Sequence, residues 1–303
     1  MNHTILVSGS IAYDRIMNFP DHFKNHIMPD KIHVLSLSFE VATVEEQFGG
    51  NAGNIAHNLK MLGEKPIIIS AAGEDFEKYR MSLEERGIDT AYITIIPEKK
   101  TAFVNIITDL DDNQIAAFHA GALADAPVPH SFPKEAEIAI VGPESIEVML
   151  KRVFLYKEKA LSYVFDPAQQ LPRFSGKDLK ESIEGAKILV GNDYEIGLII
   201  QKTGLSLEAL VKKVEIVIMT LGEKGSHIYT RDNIIEVKPV RPKKVIDPTG
   251  AGDAYRAGFV SALLDGKGLE ECGRLASWVA SKAIEYYGAQ QHRFTREEVD
   301  AII

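Results

Sequence analysis

Short apolar runs recur along the chain at TILVSGS (4–10), PIIISAAG (66–73), EIAIVG (137–142), SYVFD (162–166), KILVGN (187–192) and EIVIMTLG (215–222). Most are continuous rather than alternating, the pattern of strands buried on both faces of a parallel sheet. Helical periodicity fills the gaps at 51–62, 75–86, 144–157, 193–202 and 206–213, with two longer helices predicted at about 251–264 and 268–287. Strand and helix in alternation predict an α/β fold built on a doubly wound, mainly parallel sheet.

Two regions break the rhythm. Residues 31–47 alternate apolar and polar, as a half-exposed strand does. Residues 91–119 hold two strand-like runs, TAFVNIIT and QIAAFH, joined by a hairpin turn at Asp109–Asn113. Neither fits a βαβ layer. Both are read as strands of a small accessory sheet, a lid over the C-terminal edge of the main sheet, where open α/β sheets bind ligands. The lid is expected to draw on about 12–47 and 91–119, and residues 1–303 are expected to form one domain.

Composition narrows the function. The 303 residues are 45% apolar and 25% charged, with a net charge of −9 and no lysine- or arginine-rich tract, so a nucleic-acid partner is not expected. The single cysteine, Cys272, excludes a disulfide framework and a cysteine-based zinc site within the chain, and it reads as a core residue. The first apolar run is too short for an export leader and no stretch approaches bilayer-spanning length. A cytoplasmic protein that handles small molecules, with no membrane partner, is expected.

Five constellations carry candidate chemistry. DPTGAGD (247–253) is neither a Walker A loop nor a dinucleotide fingerprint, because Tyr255 stands where the third glycine would be. What remains is a glycine turn entering a helix, whose free N–H groups suit an anion. Equally, it is a tight turn with Asp253 in a favourable first-turn position. QFGGNAGN (47–54) offers close backbone approach at Gly49, Gly50 and Gly53, and donors and acceptors at Asn51 and Asn54. The same residues also serve capping and close helix packing. Gly9-Ser10 and Asp14 follow the first strand, where a carboxylate can accept from vicinal hydroxyls or merely cap a loop. Asn192 and Glu195 lie three apart, as paired oxygen ligands of hydrated Mg²⁺ would, or as a helix cap with a first-turn glutamate. TLGEKGS (220–226) lets backbone approach a nucleotide, and as a bare loop says little. His22 and His26 have no third ligand nearby in sequence and read as a solvated face. The acidic run 109–112 reads as a solvated turn.

Their order and spacing along almost the whole chain resemble the ribokinase-like (PfkB) sugar and nucleoside kinases. One signature of that family matches Gly49-Gly50, Asn54, Ala56, Gly63 and Gly73. The other matches Asp247 to Asp253 and continues to Ala257-Gly258. Asn192 and Glu195 match the family's Asn-x-x-Glu, and Thr220, Gly222 and Gly225 its nucleotide loop. One departure is Lys78, at a position usually glycine.

The resemblance implies a three-layer α/β/α core with a β-sheet lid, ATP as phosphoryl donor and Mg²⁺. It makes Asp253 the base that takes the proton from the acceptor hydroxyl, with the backbone N–H groups of Gly250, Ala251 and Gly252 as anion hole. It places Ser10, Asp14, Gly50, Asn51 and Asn54 on the acceptor. Asn192 and Glu195 would organise Mg²⁺ through water, and Asn192, Thr220, Gly222 and Gly225 would hold ATP. A lid strand edge can serve as a dimer interface in this family.

The acceptor is less legible. Arg15, Lys99 and Lys100 are candidates for a second phosphate, and Phe39, Phe103 and Phe118 for a nucleobase slot. The wording GGNAGNIA, AFHAGA (117–122) and GAQQHRFT (288–295) resembles prokaryotic adenosine or nucleoside kinases. The expected reaction is therefore ATP-dependent phosphorylation of a nucleoside 5′-hydroxyl, adenosine first. The alternatives are a sugar kinase of ribokinase or fructokinase type, and a non-catalytic nucleoside or nucleotide sensor.

Overall fold

The computed structural model describes residues 2–302 apart from 112 and 130. The chain opens with β1 (Thr4–Ser8) and passes almost directly into β2 (Ala12–Asn18); β3 (Thr43–Gly49) then leads into α1 (Asn51–Met61). Next come β4 (Lys65–Ala72), α2 (Glu77–Glu85), β5 (Ile93–Ile95), and the pair β6 (Ala102–Thr108) and β7 (Gln114–His119). β8 (Ala136–Val141), α3 (Ile146–Glu158), β9 (Tyr163–Phe165) and α4 (Gly176–Ile183) follow. β10 (Ile188–Asn192), α5 (Asp193–Thr203), α6 (Leu207–Leu210) and β11 (Ile216–Thr220) complete the parallel part. The chain ends with the hairpin β12 (Ser226–Tyr229) and β13 (Ile234–Val237), then α7 (Ala251–Leu264), α8 (Leu269–Ala283) and the short α9 (Arg296–Asp300).

The main sheet runs β13-β12-β11-β10-β9-β8-β1-β4-β5, parallel from β11 to β5, with β12 and β13 antiparallel at one edge. Continuous apolar runs are needed because alternate residues of one strand serve two cores. Ile5 and Val7 of β1 join one cluster with residues of α1, α2, α7 and α8; Leu6 joins the other with residues of α3, α4 and α5. The expected three-layer α/β/α architecture is present.

The second sheet, β3-β2-β6-β7, is the lid. Its composition corrects two expectations. Only the end of 31–47 is a strand; Pro29–Val34 is 3₁₀-helical. Alternation makes a strand only where another strand pairs with it: exposed β7 is held by β6, whereas Ile32, Val34, Leu35 and Leu37 are exposed and no described strand pairs with them. Ile93–Ile95 extends the main sheet beside β4 rather than the lid, while β6 and β7 pair as the expected hairpin. The turn between them is not simply solvated either. Asp109 is buried and accepts from the backbone N–H groups of Phe23, at 2.9 Å, and of Asn113, at 2.9 Å; Asp112 lies outside the described residues. Asp109 also groups with Asp111 and His22, so His22 has acidic neighbours that sequence spacing did not show.

The lid is pinned to the core by Gly73-Glu74-Asp75. The Asp75 carboxylate accepts from Thr101 N–H at 2.7 Å, and Gly73 N–H donates to the Thr101 hydroxyl at 3.0 Å, fixing the start of β6. A Cβ on Gly73 would sit 2.3 Å from Lys99 O, so glycine alone fits beneath this crossing. No helix among the described residues is long and apolar enough to cross a membrane.

Candidate active site

The predicted site residues come from strand ends and helix starts that converge between the lid and the C-terminal edge of the main sheet. α7 begins at Gly250, which adopts φ +79°; a Cβ there would meet Ala289 Cβ at 2.6 Å. Ala251 N–H makes a 3.3 Å turn bond to Pro248 O, whereas the N–H groups of Gly250, Gly252 and Asp253 have no acceptor among the described residues. The N-terminal turn of a helix with free donors is an anion site in waiting.

Asp253 projects from that first turn. Its carboxyl is pushed up to about 6, chiefly by removal from water, against the pull of Arg256 and of a hydrogen bond from Asn54. Asn54 Nδ2 donates to Asp253 Oδ2 at 2.9 Å, joining α1 to α7. Asp14, on β2 of the lid, is pushed up to about 7 by burial and by the negative charges of Asp253 and Asp247. It accepts no hydrogen bond from the described residues, and Gly49 clears its path, since a Cβ there would lie 2.1 Å from Asp14 Oδ2. Two carboxylates of raised pKa therefore face one cleft, one from the lid and one from the core.

Ser10 and Asn51 turn toward each other. Asn51 Oδ1 accepts from Ser10 N–H at 2.9 Å, and the Ser10 hydroxyl accepts from Asn51 N–H at 3.0 Å. This clamp holds the β1–β2 connection on the start of α1, and leaves Asn51 Nδ2 as the buried donor without a partner. Gly50, at φ +82°, is the corner that lets α1 start against Ser10 O, which a Cβ would meet at 2.5 Å.

Asn192 and Thr220 are register partners at the C-terminal ends of β10 and β11. Asn192 and Glu195 form a reciprocal cap: Asn192 Oδ1 accepts from Glu195 N–H at 2.8 Å, and Glu195 Oε2 accepts from Asn192 N–H at 2.8 Å. Glu195 Oε1 has no hydrogen-bond partner among the described residues. One carboxylate oxygen and one neutral amide are too thin a set to cage a metal directly, but they fit a cation that keeps most of its water, as Mg²⁺ does. Gly222 (φ +59°) and Gly225 (φ +93°) bracket a 3₁₀ turn, and no atom within 4 Å would block a Cβ at Gly222. Space is open against the backbone at Gly222, whereas Gly225 packs against Val237 O, which a Cβ would meet at 2.1 Å.

Sequence reasoning missed three groups. Arg256, one turn after Asp253, donates from Nη2 to buried Asp166 at 2.8 Å and lies beneath Gly252, whose Cβ would come within 2.5 Å of Nη1. Asp166 follows β9, so it carried the same end-of-strand signal as Asp14. Gln290 sits in the GAQQHRFT stretch and donates to Asn54. The second-phosphate candidates are spent elsewhere: Arg15 on Glu46 at 2.9 Å, Lys100 on Glu74 at 2.9 Å, and Lys99 on Asp125.

Known proteins give the same picture. The family model for the pfkB family carbohydrate kinases matches residues 3–295. The nucleoside kinase of Methanocaldococcus jannaschii is 35% identical over 296 residues, covering 96% of this chain and 93% of that protein. The structure of the Burkholderia thailandensis nucleoside kinase in complex with inosine superimposes with a TM-score of 0.90 at 39% identity, over 98% of this chain and 96% of the other. The same enzyme in complex with ADP and inosine gives a TM-score of 0.87 at 40% identity, over 98% and 94% of the two chains. Fold, helix-start anion site and family match agree: this chain belongs to the pfkB family of carbohydrate kinases, and is a phosphotransferase acting on an alcohol group.

Proposed function

We propose that the protein transfers the γ-phosphoryl group of ATP to the 5′-hydroxyl of a purine nucleoside, with adenosine the first acceptor to test and inosine beside it. The observation that carries this reading is Asp253 at the free N-terminal turn of α7, facing Asp14 across the cleft. Asp253 would accept the hydroxyl proton as the oxygen attacks phosphorus. The N–H groups of the same turn would take the charge of the transferring oxygens, which is where phosphoryl transfer needs fixed donors. Asp14 would hold the sugar hydroxyls, next to the Gly50 corner. The Thr220–Gly225 loop would lie against ATP. Mg²⁺ bound near Asn192 and Glu195 would neutralise phosphate charge. The lid would exclude water, the competing acceptor.

The nucleoside preference draws on the lid. By strand register Asp14, Val104 and Phe118 share one face, whereas Phe103 lies on the other with Arg15 over its ring. Phe39 is taken up in an aromatic cluster with Phe19 and Phe23. Phe118, 52% exposed, is therefore the aromatic available for a base beside the sugar-binding carboxylate. The names of the relatives and the inosine complex of one of them point the same way. The paired state of Arg15, Lys99 and Lys100 gives no support to a sugar phosphate as acceptor.

The test is ADP release from ATP and Mg²⁺ with adenosine, inosine, cytidine, ribose, fructose and fructose 6-phosphate. Purine nucleosides are expected to give kcat/KM at least tenfold above the free sugars. A preference for ribose or fructose would overturn the nucleoside reading and leave the kinase.

A further inference from the structure

Gln290, in the segment after α8, is 1% exposed, and its side-chain amide stands among three partners. Arg86 Nη1 donates to Gln290 Oε1 at 2.9 Å. Gln290 Nε2 donates to Tyr79 Oη at 2.6 Å and to Asn54 Oδ1 at 3.0 Å. The Tyr79 hydroxyl in turn donates to Gly49 O at 2.8 Å, so it is free to accept from Gln290. Asn54 then donates to Asp253 at 2.9 Å. Four segments distant in sequence meet in this chain of bonds. Room for it depends on Gly53, where a Cβ would lie 2.1 Å from Tyr79 Oη and 3.0 Å from Gln290 Nε2.

The polarity of the chain follows from chemistry. A guanidinium only donates, so Gln290 must turn its oxygen to Arg86 and its NH₂ to Asn54. Asn54 must then present Oδ1 to Gln290 and NH₂ to the carboxylate. Without Gln290, only the Asp253 carboxylate itself would hold the Asn54 amide in this orientation, and a rotated amide would turn its oxygen on Asp253.

We propose that Gln290, anchored by Arg86, is a positioning residue for phosphoryl transfer: it locks the Asn54 amide with its donor toward Asp253, which orients the carboxylate and leaves Oδ1 as the oxygen with no donor among the described residues. This rests on Asp253 being the base. The other charged groups around Asp253 are untouched by a change at Gln290: Arg256 on α7, Asp166 after β9, Asp14 on the lid, and Asp247 beside Asp14.

The test compares full-length Gln290→Glu, Gln290→Met and Asp253→Asn in kcat, nucleoside KM, Tm and the pH profile of kcat/KM. An ionised glutamate accepts from Arg86 but donates nothing, so it competes with Asp253 for the Asn54 NH₂ and adds a second negative charge nearby; methionine only removes the lock. Gln290→Glu is expected to lower kcat about 10–100-fold, the usual scale for an outer-shell partner, with KM within about threefold. The acid limb should move up by about one pH unit, because a carboxylate that shares its donor with a second negative charge holds its proton longer. Gln290→Met should fall between Gln290→Glu and the unmodified protein, and carries the same readouts if the glutamate variant does not fold. Unchanged kcat and acid limb in the folded variants, with Asp253→Asn inactive, would overturn the relay. So would a loss of kcat that tracks Tm with the acid limb unmoved. Full activity of Asp253→Asn would instead overturn the base assignment itself.

Discussion

Asp14 and Phe118 lie on one face of the lid sheet, on either side of Val104 on the strand between them. The carboxylate proposed for sugar hydroxyls and the ring proposed for a base are thus carried by the same small sheet. Phe118→Ala is expected to raise KM for nucleosides about 5–50-fold, in line with about 1–2.5 kcal/mol of lost stacking, and to leave KM for ribose unchanged. Equal loss on both acceptors, measured by ADP release, would mean that Phe118 shapes the lid without touching the base.

Asp253→Asn should lower kcat by about 10²–10⁴-fold, the range of general-base contributions, with acceptor affinity largely kept. A near-full rate would remove Asp253 from the chemistry. The pH dependence has a definite sign. Asp253 is raised to about 6 and Asp14 to about 7, and both act ionised, so kcat/KM should fall as pH drops through 7 to 6 and level off above about 8. Activity undiminished at pH 5 would contradict both assignments.

Asp14→Asn is expected to weaken acceptor binding and to stabilise the fold. The folded pKa of Asp14 is raised above its ordinary value, so its ionised form opposes folding, and stability is lost as pH rises from about 4 to 7. Above that window the amide should raise Tm by roughly 2 °C or more, at about 2–4 °C per kcal/mol for a chain of this size. A lowered Tm at pH 8, read by calorimetry, would show that Asp14 has a structural partner.

Full turnover should require a divalent cation, with at least about a 100-fold loss in excess chelator, as expected when phosphate charge goes unneutralised. Glu195→Gln should raise the Mg²⁺ concentration for half-maximal rate, while stability falls by only about 1 kcal/mol of helix capping. An unchanged Mg²⁺ titration would reduce Asn192 and Glu195 to their cap.

Glu144, just before α3, and Arg152, within it, form a fully buried ion pair with bonds of 2.6 and 2.9 Å. Glu144→Gln strands the guanidinium, whose Nη1 already lacks a partner. A loss of about 3–5 kcal/mol is expected, with kcat of the folded fraction unaltered. Denaturant titration checks it, and a loss below about 1 kcal/mol would mean that water reaches Arg152.

Hydrophobic patterning alone determined the alternation of strands and helices, because a strand buried on both faces must be apolar throughout. The glycine and carboxylate positions were legible for a related reason. Gly250 and Gly73 stand where backbone geometry or a close crossing tolerates no side chain, and Asp253 stands at the head of a helix. The edge hairpin β12–β13 and the helix α4 were not picked out: four-residue strands carry too little periodicity, and the eight residues of α4 hold only two large apolar side chains, Leu179 and Ile183. The 31–42 stretch looked like a strand because alternation records polarity, not burial: Phe39 packs on Phe19 and Phe23, but Ile32, Val34, Leu35 and Leu37 stay exposed. Only the tertiary structure decided which candidate aromatic shares a face with Asp14, because that depends on the register of three strands. It alone brought Arg256 to Asp166 and Gln290 to Asn54, pairs 90 and 236 residues apart. A hydrogen bond between distant segments leaves no local pattern. What DPTGAGD does was therefore half visible: the helix start and its acid in the chain itself, the partners that aim the acid only in the fold.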